Sequence, residues 1–314
     1  MKVKFNQYLL NTVETNYHRH LFCEIANHPD VEIVDNDSDI SFNTSGRRTD
    51  YDTKMAVLID RSDPHTRPGS FNIDLLVDEN LAKIADPKRT KPSNYFKLPD
   101  WQIEVDGINE YDVWSPAFDN PLLKTAATKI VCPIGLPENI FFNSTNQRDI
   151  DIFFQGIVFE WYPLRKILHQ ELPKLTHLKQ WLKNISGASV VKDKKTIEQY
   201  DNQLMEYANG LRRSKLCLFD GGVFNYPVKK YVECIATGCL VMAPVPKEAE
   251  YLGYIDGETM VSIDHTNFRE KIEYYINNEP ERKRITDNAY QLFTEKYALK
   301  KSTDIYINKL KQLL

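Results

Sequence analysis

Residues 211–246 read LRRSKLCLFDGGVFNYPVKKYVECIATGCLVMAPVP. An apolar run at 215–219 meets a loop carrying Gly221, Gly222 and Asn225. A helical segment then starts near Pro227 and stops at Gly238, before a second apolar run at 240–243. Proline at the start of a helix and glycine just past its end mark the two boundaries, so the stretch predicts strand, loop, helix, strand, the unit of an open α/β sheet. Lys229 and Lys230 fall in the first turn of that helix, where its positive end disfavours cations unless an anion is bound. The loop and the helix start can present backbone N–H groups to such an anion, and phosphate fits that description. One turn on, Glu233 can accept hydrogen bonds from the vicinal hydroxyls of a ribose or a sugar. The plainer alternative is a solvated face with an i,i+4 pair between Lys229 and Glu233.

The same alternation extends outward from this stretch. Upstream, residues 148–156 (RDIDIFFQG) form an apolar strand ending in glycine, and 162–172 place Leu164, Ile167, Leu168 and Leu172 at helical spacing. A strand at 188–191 and a helix over 197–211 precede the central stretch. A strand-like segment at 259–263, a helix at 268–277 and a long amphipathic helical pattern over 281–314 follow it. The first half has short apolar runs at 3–10, 31–34, 40–42, 55–59, 73–77, 111–114 and 130–132, a helical pattern at 17–27 and a short helix at 120–128. At roughly 100–200 residues per domain, 314 residues predict two domains, each with its own core. Residues 133–146 (PIGLPENIFFNSTN) carry the Pro, Gly and Asn of a linker. The fold class is α/β, with two Rossmann-like domains facing a cleft and ligands at the C-terminal ends of the strands.

Composition removes several functions. Forty Lys+Arg against 44 Asp+Glu leave a net charge of −4, which weighs against nucleic acid as a partner. No stretch reaches the ~18 apolar residues of a membrane span, and charges at residues 1–10 replace the apolar core of a signal peptide, so a cytoplasmic protein is expected. Five scattered cysteines without a C-x-x-C pair predict reduced, mostly buried thiols rather than a disulfide framework or structural zinc. Two Asp-x-Asp strings, 35–37 and 149–151, are read as turn and strand-edge residues, and no metal is expected. In the first half, Asp60, Asp63 and His65 follow the run 55–59, where open sheets place functional loops. His18 and His20 stand at the start of the first helix. Any of these can deprotonate an acceptor hydroxyl, and a solvated turn is the simpler reading of the first group. His28, His169, His177 and His265 have no suggestive neighbours. The Lys-rich segment 83–97 reads as a solvated loop, with peripheral contact to a bilayer as its alternative.

The run Lys230-x-x-Glu233-Cys-Ile-Ala236-x-Gly238-Cys-Leu-Val-x-Ala-Pro244 resembles the donor-binding segment of group 1 glycosyltransferases of the GT-B fold. The likeness is to the spore-maturation-type branch, whose pattern is Arg-x-x-Glu-x-x-Ala-x-Gly, with Lys230 where that Arg stands. Segments 132–142, 148–156, 162–172, 207–218 and 251–264 resemble further family segments in order and spacing. The resemblance implies a domain at 1–135 for the acceptor, a nucleotide-sugar domain at 136–290, and a terminal helix at 291–314 that crosses back to pack on the first. It implies that Glu233 binds the ribose, that Lys230 and Arg165, with Lys229 and Gly156 beside them, face the diphosphate, and that Asn225 and Tyr226 lie near the donor sugar. It also implies retention of configuration. Asn225 departs from the pattern, because many group 1 enzymes have a glutamate there and an amide supplies no negative charge beside an oxocarbenium ion.

The expected function is therefore transfer of a hexose or pentose from a nucleoside-diphosphate sugar to a hydroxyl of a glycan or other acceptor, without cofactor or metal. Two alternatives are a non-catalytic nucleotide- or sugar-binding protein of this fold, favoured by Asn225, and an enzyme that glycosylates DNA bases, opposed by the net charge.

Overall fold

The computed structural model describes residues 1–5, 18–35, 38–44, 53–60, 72–76, 127–129, 135–144, 148–158, 162–184, 196–222, 228–246 and 249–313. Two compact units divide the chain: Met1–Gly135 together with Leu299–Leu314, and Leu136–Ala298.

In the first unit, β1 (Lys2–Phe5), α1 (His18–Ala26), β2 (Glu32–Ile33), β3 (Ser38–Thr44), β4 (Thr53–Asp60), β5 (Asn72–Leu76) and β6 (Ala127–Lys129) form a six-stranded sheet of order β2-β1-β3-β4-β5-β6. The first four strands are parallel, with Val3 opposite Ile40 and Phe5 opposite Phe42. β5 runs antiparallel to both β4 and β6. Only residues 61–71 join β4 to β5, and a parallel crossover takes about a dozen residues or more. The short helix expected over 120–128 gives way to strand at Ala127 and Thr128, which pair with Leu76 and Leu75. The expected strand at 111–114 and the segment 83–97 lie outside the described residues.

The terminal helix α8 (Leu299–Leu313) belongs to this unit. Its Leu299, Tyr306, Ile307 and Leu310, at helical spacing, bury against Val3, Phe5, Leu21, Phe22 and Ile25. His28 bonds Asp304 at 3.1 Å and Lys311 reaches Asp30 at 2.6 Å. These pairs are partly exposed, so the apolar seam supplies most of the attachment.

The second unit is a parallel sheet of order β11-β10-β9-β7-β8, made of β7 (Ile150–Gly156), β8 (Gln180–Asn184), β9 (Ser214–Leu218), β10 (Leu240–Ala243) and β11 (Val261–Ser262). Helices α2 (Pro163–Glu171), α3 (Ile197–Arg213), α4 (Lys230–Thr237), α5 (Ala249–Leu252), α6 (Phe268–Asn277) and α7 (Glu279–Leu292) connect and cover it. Ile152, Phe154, Leu216, Leu218, Leu240 and Met242 pack on one face against Leu164, Leu168, Ile272 and Ile285. The strand after α2 is β8 rather than the expected 188–191, which lies outside the described residues. As an edge strand with the sequence QWLKN, β8 offers no continuous apolar run. The expected helix over 281–314 is two helices. α7 ends in a π turn at Phe293–Tyr297, and Ala298 is extended, with φ −60° and ψ 137°. Leu136 forms an isolated bridge with Ala298, and its N–H donates to the Tyr297 carbonyl at 3.0 Å.

Candidate functional site

β7 lies between β8 and β9, so the second sheet reverses its winding there. In open α/β sheets the crevice outside the strand C-termini at such a reversal is where ligands bind. β7 ends at Gly156. A Cβ on Gly156 would lie 3.2 Å from Arg165 Nη1 and 3.6 Å from Lys230 Cε, so the missing side chain lets two cationic groups converge on the strand end.

Arg165 lies in the first turn of α2, which Pro163 initiates and whose N-cap residue, Tyr162, offers no side-chain bond. Asp220, just beyond β9, supplies it instead. Its Oδ2 accepts from the amides of Leu164 at 2.8 Å and Arg165 at 3.1 Å. Arg165 Nε lies 3.1 Å from Asp220 Oδ1, and Arg165 Nη2 donates to the Asp220 carbonyl at 2.7 Å. Arg165 is 6% exposed and Asp220 2%. Burial raises the Asp220 carboxyl above its ordinary value, opposed by the Arg165 charge and the backbone amides. The Arg165 guanidinium sits 3.8 Å from the Tyr162 ring centroid. An internal carboxylate therefore already holds the α2 N-terminus.

At the α4 start Lys229 is the N-cap residue, without a side-chain cap bond, and Lys230 is the first helical residue. Lys230 Nζ donates to the Tyr207 hydroxyl at 3.1 Å, and that hydroxyl donates to Glu233 Oε2 at 2.5 Å. Glu233 is 6% exposed. The far end of α4 is fixed by Gly238, whose φ is +66° and whose Cβ would fall 2.4 Å from Asn143 Oδ1 and 2.7 Å from Arg148 Nη2. Arg148 donates to the carbonyls of Thr237, Leu211, Arg212 and Ser214, gathering the ends of α3 and α4. Tyr231 is wholly buried beneath α4 and bonds the Pro244 carbonyl at 2.5 Å, and burial pushes its phenol well up.

Of the residues singled out in the sequence, Gly156, Arg165 and Lys230 converge on the end of β7, and Glu233 connects to them through Tyr207. Lys229 adjoins Lys230 at the α4 start. Asn225 and Tyr226 lie outside the described residues, as do Asp63 and His65. Asp60 closes β4 opposite Asn72 and His18 opens α1; the side chains of both lie outside the described residues. Asp149 and Asp151 stand at the opposite end of β7. Asp149 binds Arg213 and Lys179, and Asp151 binds Lys215 at 2.7 Å. In the other string, which begins at Asp35, Asn36 and Asp37 lie outside the described residues. Cys217, Cys234 and Cys239 are buried and Cys23 is half-buried, and none of these four is in a disulfide.

Sequence reasoning missed two members of this group. Asp220 carried a usable signal, since it directly follows a strand and precedes two glycines. Tyr207 carried none, because one tyrosine on an amphipathic helix reads as packing.

No family model matches the sequence, and no curated protein matches it. Solved structures do resemble the fold. Alr3699/HepE from Anabaena, in complex with UDP and glucose, matches with a TM-score of 0.52 at 12% identity, over 100% of this chain and 99% of that chain. Sucrose-phosphate synthase from Thermosynechococcus elongatus matches with a TM-score of 0.52 at 11% identity, over 99% and 98% of the two chains. The fold is that of the GT-B glycosyltransferases, with two Rossmann-like units. At this identity the likeness concerns the fold alone.

Proposed function

We propose that this protein is a metal-independent glycosyltransferase that moves a hexosyl or pentosyl group from a nucleoside-diphosphate sugar to a hydroxyl of a glycan or glycoconjugate. The observation that carries this reading is the convergence of Arg165 and Lys230 on Gly156, with Glu233 one turn further along α4. In the proposed reaction the bond from the anomeric carbon to the diphosphate oxygen breaks and its electron pair leaves with the diphosphate. The acceptor oxygen bonds to that carbon, and its proton passes to the leaving diphosphate when configuration is retained or to a side-chain base when it is inverted. Lys230, Arg165 and the α4 N-terminus, with Lys229 beside it, neutralise the leaving charge. Glu233 accepts from the ribose hydroxyls, and Asn225 with Tyr226 borders the donor sugar. For an inverting reaction, Asp60 at the end of β4 or His18 at the start of α1 is the proposed base. The cations tied to Asp149 and Asp151 support a mechanism that does not draw a metal from that string. HepE binds UDP and glucose, which makes UDP the first donor base to try.

A thermal-shift screen against UDP, GDP, ADP, CMP, dTDP and their common sugar conjugates, with and without EDTA, tests this reading. A rise in melting temperature that survives EDTA is expected for one nucleoside diphosphate, since selective binding to the folded state stabilises it. A rise abolished by EDTA would return attention to the Asp-x-Asp strings, and no rise with any nucleotide would remove the donor site. Asn225 favours a second reading, a nucleotide-sugar-binding protein without transfer activity. Detectable transfer, or slow hydrolysis of the bound donor, excludes it.

A further inference from the structure

Tyr207 sits between the two charges that the proposed function uses most. Lys230 and Glu233 are three residues apart on α4, a spacing at which a lysine and a glutamate readily pair with each other. They are instead separated by one phenolic oxygen, which donates to Glu233 at 2.5 Å and accepts from Lys230 at 3.1 Å. The spacer is held from below. The Tyr207 ring stands edge-on to Phe153 of β7, with centroids 5.5 Å apart, and Phe153 stacks on Trp181 of β8 at 6.0 Å. Trp181 Nε1 donates to Gln155 Oε1 at 3.2 Å. Gly210, one turn after Tyr207, has no Cβ, and one placed there would lie 2.7 Å from Phe153 Cε2. That gap lets α3 settle onto the aromatic ring, so strands β7 and β8 fix where the hydroxyl points.

We infer that Tyr207 is a positioning residue that determines recognition of the ribose by keeping Glu233 and Lys230 from neutralising one another. The bond from the hydroxyl fixes the orientation of the Glu233 carboxylate, a group that accepts from a vicinal diol. The same hydroxyl holds the Lys230 ammonium near Gly156, on the diphosphate side. Without it the glutamate and lysine close on each other as an i,i+3 pair, and both contributions to the nucleotide weaken together. This inference rests on the donor-site reading above.

The test is calorimetric binding of UDP, 2′-deoxy-UDP and UMP to the full chain, with GDP and ADP and their deoxy forms run alongside. Wild-type protein should prefer the ribonucleotide by about tenfold or more, since a site built to bond a hydroxyl discriminates against its absence. In Tyr207→Phe, which keeps the ring, that preference should fall below about twofold, and the preference for the diphosphate over the monophosphate should fall with it. In Lys230→Met the affinity should drop about tenfold with the ribose preference retained. Glu233→Gln reads the same link from the acid side and should also abolish the ribose preference. A Tyr207→Phe protein with a wild-type melting temperature and an undiminished ribose preference overturns the inference, as does a wild-type protein that binds ribo and deoxy forms alike. Failure of wild-type protein to bind any nucleoside diphosphate is a different result; it removes the donor site, and the inference with it.

Discussion

The two ends of strand β7 carry the same kinds of charge and do opposite things with them. At the N-terminal end Asp149 takes two bonds from Arg213, at 2.8 and 2.7 Å, and one from Lys179 at 2.8 Å, among side chains roughly half in water. At the other end, beyond Gly156, Arg165 and Asp220 pair at 3.1 Å with less than a tenth of either exposed. Water screens the first cluster, and it does little more than hold a surface together. The second has lost its water, so each charge depends on its partner, and a charge left over can attract an external ion strongly. Geometry alone does not separate these ends; burial does.

The largest expected effect comes from breaking the buried end. Asp220→Ala leaves the Arg165 guanidinium and two helix amides without their acceptor and should cost about 3–5 kcal/mol in urea unfolding. A loss below about 1 kcal/mol would mean that the pair is not what holds α2. Replacing both partners, as Asp220→Leu with Arg165→Met, should restore the part of that stability owed to the unpaired guanidinium, though not the cap on the two α2 amides, while abolishing nucleotide binding, which separates folding from function at one site. Next in size, Gly156→Ala inserts a methyl 3.2 Å from Arg165 Nη1 and 3.6 Å from Lys230 Cε, and should weaken nucleoside-diphosphate binding about tenfold, or ~1.4 kcal/mol, with little change in melting temperature. Unchanged affinity would separate those cations from the ligand. The smallest effect belongs to the exposed end. Hydrogen bonds from Arg213 and Lys179 hold the Asp149 carboxyl well below the usual carboxylate range. Its contribution is therefore present above the unfolded-state value, about 3.9, and fades as pH falls through the lower folded value. Asp149→Asn should barely alter stability at pH 7, and its difference from wild type should shrink on acidification. Asp220 runs the other way: with its carboxyl raised by burial, the folded state holds that proton more firmly, and stability declines as pH rises through the window above the unfolded value. Unfolding curves at stepped pH for both variants check the two signs.

Much of the second unit was legible in the sequence, because its central strands are covered on both faces and read as unbroken apolar runs. The helix at 268–277 is found where its spacing puts it, and Gly238 marks the helix end that it predicts. Three features were not legible, each for a physical reason. β8 is an edge strand in which Gln180, Lys183 and Asn184 dilute the apolar residues, so it has no apolar signature. The break at Ala298 has neither proline nor glycine to announce it, because the chain is bent there by pairing with Leu136, a residue far back in the sequence. Tyr207 enters the site from a helix that local pattern assigns wholly to packing. The charges at the α4 start were visible from spacing alone, whereas the partner that keeps them apart was fixed only by the register of β7 against α3.

The return of the chain to its first unit has a consequence for how the protein is made. Val3, Phe5, Phe22 and Ile25 are synthesised before the second unit, yet the surface that covers them, Leu299, Tyr306, Ile307 and Leu310, is synthesised after it. At roughly 5–20 residues per second the interval is on the order of 15–60 s. During that time the second unit, whose ends at Leu136 and Ala298 lie side by side, can close as a continuous piece of nascent chain. The first unit is thus begun before the second and completed after it, and a polypeptide not yet past Leu310 exposes an apolar seam that chaperones would have to guard.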